Sequence, residues 1–316
     1  MSKRCEPMAT GSEVRNQGAR ISDEPGFLLH TVPWRETSLI AEVLSRHHGR
    51  VAMVAKGARR ARSELRPVLL GFQPLRLAWS GRGELRNLTA AEWVGGFSAP
   101  QAEGLICGFY LNELLMRLLP RDDPHPQLYD AYQQAVLELG AIDTARERNR
   151  PQRAEREECL RRFEWTLLRE SGYAPDLLRD EEGHPTEREV WYQWNPERGF
   201  RAAEPRQAQH AGWGAPGATE HPEAPPSGLQ DAAPSGDVQD PRALRGAQLQ
   251  ISGATLQGLA SGMLENDGNR LQAKRLTRSI LEHYLEGKAL KTRQLLRELQ
   301  AHDAGPREDP EVSTGS

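Results

Sequence analysis

The strongest chemical signal in this sequence is a dense run of positive charge. The run reads Lys56-Gly57-Ala58-Arg59-Arg60-Ala61-Arg62, and Arg66 follows it. Ammonium and guanidinium groups on one loop can bind phosphate oxygens without reading base identity. We therefore predict a phosphate-binding group led by Lys56 and Arg59, with Arg60, Arg62 and Arg66 as further members. The alternative is an exposed basic loop that only keeps the protein soluble.

Two more cations and one aromatic side chain extend this candidate surface. Arg35 follows Trp34 at the end of one predicted strand, and Arg50 begins another. Aromatic rings next to cations suit nucleic acid, because stacking on a ring is worth roughly 1–3 kcal/mol per base. We add Arg35, Arg50 and Trp34 to the candidate nucleic-acid-binding residues. Phe72 and Trp79 lie in apolar stretches, which favours a place in the core.

A second candidate site lies in a segment with helical spacing. Arg161 and Arg162 precede Phe163, and Leu167 follows four residues later. Side chains four residues apart share a helix face, so Phe163 and Leu167 could form an apolar groove with Arg161 at its edge. Such a groove fits an acidic peptide with an apolar end. The alternative is that both apolar side chains are simply part of the core.

The sequence offers little for covalent or metal chemistry. It contains no GxSxG, P-loop, GxGxxG or HExxH motif, and adjacent His47 and His48 would point to opposite faces of a strand. Cys5, Cys107 and Cys159 are far apart and form no CxxC pair, which fits a reducing cytoplasm. We predict no catalytic residue, no metal and no cofactor.

The elements that must position these residues begin as β-strands. Five short segments rich in β-branched and apolar residues are separated by turn signals. They are Phe27 to Val32, Thr37 to Leu44, Arg50 to Lys56, Leu69 to Trp79 and Leu85 to Ala90. Five strands in about 70 residues suggest a small barrel, and the OB-type barrel is the common five-stranded form that binds oligonucleotides. An SH3-like barrel or a small sandwich remains open.

After the barrel the period becomes helical. Apolar residues recur every three or four positions from Leu105 to Leu118, and Gly140 and Gly172 are expected to cap the two helices that follow. Residues 201–248 are rich in Gly, Pro, Ala and Gln without an apolar period, which predicts a disordered insertion. The fold class is therefore α+β. Its expected parts are a disordered leader (1–24), an OB barrel (25–97), an all-helical domain (98–302) that contains the insertion, and a disordered tail (303–316).

Charge is distributed unevenly along the 316 residues. The whole chain has a formal charge of -3, yet residues 25–96 hold eleven basic and five acidic side chains. This asymmetry is typical of a nucleic-acid-binding module joined to a part that binds proteins. No apolar run reaches the roughly 18–20 residues of a membrane helix, and the first residues lack the apolar stretch of a signal peptide. We expect a cytoplasmic protein.

Several short motifs in these segments occur in a fixed order. In the barrel they are Phe27-Leu28-Leu29-His30, Pro33-Trp34, Glu36-Thr37-Ser38-Leu39, Gly49-Arg50-Val51 and Val54-Ala55-Lys56-Gly57-Ala58-Arg59. In the helical part they are Asn112-Glu113-Leu114-Leu115, Arg161-Arg162-Phe163-Glu164, Gly172-Tyr173 and Lys288-Ala289-Leu290-Lys291-Thr292-Arg293. With these motifs the chain resembles the bacterial RecO recombination mediators, over about residues 25–200 and 250–300.

The resemblance implies a function that the residue pattern alone does not. RecO proteins bind single- and double-stranded DNA, anneal complementary strands, bind RecR and the C-terminal tail of the single-stranded DNA-binding protein SSB, and help to load RecA. The resemblance also implies that the SSB tail would contact the segment around Arg161. It further implies that the protein is associated with the nucleoid. Many members carry a four-cysteine zinc site after the Gly-Tyr pair, but here Asp180-Glu181-Glu182-Gly183 stands there, which indicates the zinc-free branch.

Two other classes of function are alternatives. A protein-binding scaffold whose barrel grips a peptide would fail to bind DNA even at low salt. A nuclease would degrade DNA in the presence of a divalent metal ion. The basic run beginning at Lys56 argues against the scaffold.

Overall fold

A computed structural model describes residues 20–96, 98–144, 152–203, 249–264, 266–286 and 288–295. The leader up to residue 19, the insertion from residue 204 to 248 and the tail lie outside the described residues, so their expected disorder stays a prediction.

The N-terminal part is a closed five-stranded barrel. Its strands are β1 (Arg20–Trp34), β2 (Ser38–Ser45), β3 (Gly49–Ala55), β4 (Pro74–Ser80) and β5 (Leu85–Trp93). They pair in the order β1-β2-β3-β5-β4, with β1 also bonded to β4, and only the β3–β5 pair is parallel. This closed barrel confirms the OB-type prediction and excludes the small sandwich.

The first strand is longer than its sequence pattern indicates. β1 begins at Arg20, so residues 20–24 belong to the barrel and not to the leader. This segment pairs with β4, and its register shifts between Ile21 and Glu24, where Asp23 has a φ of 58°. A bulge interrupts the alternation of side chains between the two faces, which hides the strand from a pattern of period two. β4, in contrast, begins only at Pro74, after Phe72 at a φ of 63°.

The barrel interior is filled by apolar side chains from all five strands. Met53, Leu75, Leu77 and Trp79 are each at most 1% exposed. The expected core positions of Trp79 and Phe72 are confirmed, since Phe72 is only 3% exposed.

Five helices after the barrel lie within the described residues with both ends, and residues 291–295 are also helical. The five are α1 (Ala102–Leu118), α2 (Pro126–Thr144), α3 (Gln152–Glu170), α4 (Gly253–Ser261) and α5 (Asp267–Tyr284). The expected cap at Gly172 is confirmed, because it has a φ of 73° and the next N–H, of Tyr173, bonds to the Leu168 carbonyl at 2.8 Å. The expected cap at Gly140 is wrong. Gly140 lies inside α2, where a Cβ atom would come 2.0 Å from the Ser98 carbonyl oxygen.

A small sheet makes the description of the second domain as all-helical wrong. It consists of β6 (Trp191–Asn195), β7 (Gly199–Ala202) and β8 (Gln250–Ser252), in the order β7-β6-β8. Strands this short carry almost no periodic signal, and β8 pairs with β6 across the whole insertion. Because β7 extends to Ala202, the insertion begins after residue 203 and not at residue 201.

The described part of the chain forms two compact units: the described residues up to 163 together with 290–295, and the described residues from 164 to 289. This division differs from the expected boundary at 97/98, because the first helices pack on the barrel. Asn112 of α1 donates to the Leu29 carbonyl at 2.9 Å. The Phe27 ring lies 5.4 and 5.2 Å from the rings of Tyr129 and Tyr132.

Candidate nucleic-acid interface

The basic loop follows β3 directly and is anchored in the barrel core. Ala58 is 1% exposed and Leu69 is 8% exposed, and both belong to the apolar cluster inside the barrel, with Leu65 and Val68 packed against it. A series of main-chain hydrogen bonds, such as Arg60 N–H to the Gly57 carbonyl at 3.0 Å, closes successive turns. The loop is therefore held in one shape, and little ordering is needed when it binds a ligand.

The cations of this loop point into solvent. Lys56, Arg59, Arg60, Arg62 and Arg66 are all exposed. Within the residues that the structure describes, none of the five forms an ion pair with a carboxylate. Arginines elsewhere in the same unit do so, as Arg46 pairs with Asp130 at 2.9 Å and Arg86 with Asp122 at 2.6 Å. In the described part of the chain, the charge of this loop is therefore not taken up by ion pairs.

The turn between β1 and β2 lies beside this loop. Trp34 is 40% exposed, and Arg35 is also exposed, with a φ of 52°. An open cavity of about 560 Å³ separates this turn from the start of the loop. Its walls include Trp34, Arg35, Glu36, Lys56, Gly57 and Arg60. The structure thus brings together five of the eight predicted nucleic-acid-binding residues around one place, since Arg59 also bonds to this turn.

Arg59 differs from its neighbours in having main-chain partners. Its Nη1 donates to the carbonyl oxygens of Arg35 at 3.4 Å and of Glu36 at 3.3 Å. Its own N–H donates to the Thr37 carbonyl at 2.9 Å. Arg59 therefore ties the basic loop to the β1–β2 turn.

Arg50 is placed away from the other candidates. Its side chain is 13% exposed, donates through Nε to the Leu119 carbonyl at 3.0 Å, and pairs with Glu42 at 3.4 Å. Arg121 pairs with the same carboxylate. Burial lowers the pKa of Arg50, as does the Arg121 charge, against the opposing effect of Glu42. Arg50 therefore fastens the barrel to the end of α1, and its role in binding nucleic acid stays a prediction.

Sequence reasoning missed Glu36, Thr37, Ser38, Val54 and Gly57 as cavity residues. The pairing of the consecutive strands β2 and β3 could have indicated these residues. β2 pairs with β3 so that Leu39 faces Ala55, which places the residues before Leu39 beside those after Ala55.

Comparisons with known proteins agree with this layout. Residues 20–97 match the family model for the N-terminal part of recombination protein O, and residues 100–212 match the model for its C-terminal part. A protein of Azoarcus sp. (strain BH72) named DNA repair protein RecO is 42% identical over 281 residues, 89% of this chain and 97% of that protein. The chain belongs to the RecO family.

Two further RecO relatives cover the chain to a similar extent. The DNA repair protein RecO of Thiobacillus denitrificans is 42% identical over 92% of this chain and 97% of its own length. That of Aromatoleum aromaticum is 40% identical over 90% of this chain and 99% of its own length. The resemblance found in the sequence is thus confirmed, and the chain is placed among DNA repair and recombination proteins.

The second candidate site of this RecO family member is largely buried. Phe163 is 2% exposed and Leu167 is 0% exposed, and the Phe163 ring lies 6.1 Å from that of Tyr132. Both belong to the core, so the alternative reading from the sequence is correct and these two side chains form no surface groove. Arg161 is half-buried, whereas Arg162 is exposed and pairs with Glu138.

The two described cysteines of this RecO chain do not fit a thiolate zinc site. Cys107 and Cys159 are buried, and burial raises their pKa to about 11 and about 12, so neither is a ready thiolate. After Gly172-Tyr173 the turn is instead closed by Asp180, which accepts from the N–H groups of Glu182 at 3.0 Å and His184 at 2.8 Å. No cluster of metal-ligating side chains occurs among the described residues, and the absence of a metal stays a prediction.

In the described part of the chain, no helix has the length and apolar character needed to span a bilayer.

Proposed function

We propose that this chain is a recombination mediator that binds single- and double-stranded DNA through the β3–β4 loop and anneals complementary strands. The observation that carries the proposal is the group of exposed cations on an anchored loop, none of them paired with a carboxylate among the described residues. Phosphate contacts by such groups release counterions, and this supplies most of the affinity for DNA. We further propose that the protein acts in the cytoplasm at the nucleoid.

Annealing requires no covalent step. A cationic surface lowers the repulsion between two polyanionic strands, and base pairing then proceeds by itself. The protein therefore acts without a catalytic residue or a cofactor. Membership of the RecO family supports this proposal, as does the exposed Trp34 beside the basic loop.

The partners are proposed from the family. They are RecR, the C-terminal tail of SSB and, indirectly, RecA. Since Phe163 and Leu167 are buried, a tail at the segment around Arg161 would meet Arg162 and the half-buried Arg161 without these two apolar side chains. Fluorescence anisotropy with a labelled SSB-tail peptide tests this, because Arg162→Glu should abolish binding if that contact exists.

The DNA proposal is tested by anisotropy with a labelled single strand across a salt series. The variant Arg60→Ala/Arg62→Ala/Arg66→Ala should reduce the slope of log K against log salt by about 2, because each phosphate contact on single-stranded DNA contributes about 0.7. Arg198→Ala/Arg201→Ala/Lys288→Ala removes the same charge from exposed positions of the second unit and should keep the slope.

A fluorescence-transfer assay with two complementary labelled strands tests annealing. The loop variant should anneal more slowly, and the control variant should match the unmodified protein. If the unmodified protein binds no DNA at low salt, the proposal fails and the peptide-binding scaffold takes its place.

A further inference from the structure

The cavity beside Trp34 has walls of two chemical kinds. Trp34 offers an exposed indole ring on the side of the β1–β2 turn. Lys56 and Arg60 line it on the side of the loop, and Glu36 is the single carboxylate among the residues that line it. A ring together with cations is the combination that holds a base and its phosphate at once. The volume of about 560 Å³ lies within the usual range of small-ligand sites.

The Arg60 side chain, which lines the cavity, lies against Gly57. Gly57 has a φ of 69°, and a Cβ atom built there would lie 3.6 Å from both Cδ and Nε of Arg60. The side chain of Arg60 therefore runs close over Gly57. The Gly57 N–H also points to Ser38 Oγ at 3.4 Å, which joins the loop to the first residue of β2.

Only an unpaired base can use such a ring. In a duplex both faces of each base are already covered by its neighbours, whereas in a single strand a base can turn outward and stack on an aromatic side chain. The cations, in contrast, bind the phosphates of either form. The cavity can therefore distinguish the two forms of DNA, and the rest of the basic loop cannot.

Arg59 holds the turn that follows Trp34. Its Nη1 bonds to the carbonyls of Arg35 and Glu36, and these residues follow Trp34 directly. Trp34 pairs with Ser38 at the end of the β1–β2 ladder, and Arg35, the next residue, has a φ of 52°. Removing Arg59 would take both of these carbonyl bonds from the turn next to the indole.

We infer that the cavity receives one unpaired nucleotide of a DNA single strand, its base stacked on Trp34 and its phosphate bound by Lys56 and Arg60, with Arg59 as a positioning residue for the ring. This inference rests on the proposed DNA-binding function. It adds a base-dependent site to a surface that would otherwise bind any phosphate backbone.

The test uses three ligands of equal length: a thymidine strand, a strand of abasic sites with the same phosphates, and a duplex. The Trp34→Ala variant should bind the thymidine strand roughly tenfold more weakly, yet bind the abasic strand and the duplex as before. Trp34→Phe should retain most of the affinity, because it keeps an aromatic ring. A 2-aminopurine base in the strand should lose fluorescence on binding the unmodified protein but not Trp34→Ala.

The outcomes separate this inference from the proposed function. If the unmodified protein binds the thymidine and abasic strands equally, and Trp34→Ala weakens neither, the base site is overturned while DNA binding stands. If it binds none of the three ligands, the proposed function itself fails. Thermal melting checks that each variant is folded.

The role of Arg59 is tested in the same assay. Arg59→Ala should weaken binding of the thymidine strand but leave the abasic strand and its salt slope unchanged. In combination with Trp34→Ala it should add little, since both changes remove the same stacking contact. Arg59→Lys keeps the charge but not the two carbonyl bonds, and should behave like Arg59→Ala. Full rescue by lysine, or a flatter slope on the abasic strand, would make Arg59 a phosphate ligand and overturn its positioning role.

Discussion

Tyr132 donates its hydroxyl hydrogen to Asn112 Oδ1 at 2.7 Å, and both side chains are buried. Asn112 in turn donates to the Leu29 carbonyl of β1, so a chain of two hydrogen bonds runs from α2 through α1 to the barrel. Burial also raises the pKa of Tyr132, which keeps its hydroxyl protonated as a donor. These bonds explain why the first helices belong to the same compact unit as the barrel.

Asn112→Ala should lower the free energy of unfolding by about 2–4 kcal/mol, because it leaves a buried carbonyl and a buried hydroxyl without partners. Tyr132→Phe should cost about 1–2 kcal/mol, since it leaves only Asn112 Oδ1 unpaired. Urea denaturation followed by circular dichroism measures both. Gln134→Ala, at an exposed position of the same helix, is the control and should change stability by less than about 0.5 kcal/mol. Equal effects of all three changes would contradict the buried network.

Gly49→Ala should destabilise the first unit. Gly49 has a φ of 67°, and a Cβ atom there would lie 2.0 Å from the carbonyl oxygen of Asp123, which is main chain and cannot move away cheaply. The left-handed conformation and the clash together should cost about 2–4 kcal/mol. Gly83→Ala is the matched control, because nothing lies within 4 Å of its added Cβ. A thermal midpoint that falls for Gly49→Ala but not for Gly83→Ala is the expected result.

Glu24 should make the stability of the barrel depend on pH. Burial by itself would raise the pKa of Glu24, but hydrogen bonds from Ser45 Oγ at 2.6 Å and from the His47 N–H at 2.8 Å outweigh it and hold the pKa below its ordinary value. A carboxyl group with a lowered pKa stabilises the fold above its unfolded-state pKa. That contribution is lost as the pH falls through the folded-state pKa.

Urea titrations of Glu24→Gln at neutral pH and near pH 4 test this expectation. The variant should be less stable than the unmodified protein at neutral pH, and the difference should shrink at the lower pH. The same change at exposed Glu84 serves as the control and should have little effect at either pH. If the difference in stability between Glu24→Gln and the unmodified protein grew on acidification, the pKa of Glu24 would be raised in the folded protein and not lowered.

Leu167→Ala should lower the free energy of unfolding, as expected for a core side chain. Leu167 is fully buried, so truncation should cost about 2–5 kcal/mol through lost contacts and a cavity. Arg162→Ala, on the exposed face of the same helix, should cost less than about 1 kcal/mol because its ion pair with Glu138 is at the surface. Calorimetric melting distinguishes the two. A Leu167→Ala protein with unchanged stability would return this residue to the list of surface candidates.

Local features could be predicted from the sequence alone. The run from Lys56 to Arg62 stands between a β-pattern and a polar turn, so its place on a loop after a strand follows from neighbouring residues only. The cap at Gly172 could be predicted for the same reason, because a left-handed residue after a helix depends only on that helix. The five strands also follow from short-range periodicity, whereas the sequence left a small sandwich open and only the strand pairing shows a closed barrel.

Long-range pairing could not be predicted in this way. β8 joins β6 across the insertion, and the irregular start of β1 is a strand only because β4 lies beside it. Whether an arginine is free or paired is also decided by distant residues. Arg50 is bound to Leu119 and Glu42, and Arg59 to the carbonyls of Arg35 and Glu36.

The sequence by itself determined that the protein has a small basic β-rich part with an exposed cationic loop, and which family it resembles, because these depend on residue type and near-neighbour spacing. Only the tertiary structure decided that Trp34 and Lys56 line one cavity and that Phe163 and Leu167 lie in the core. The physical reason is that burial and the approach of distant side chains arise from packing between elements, and a one-dimensional pattern does not contain the partner.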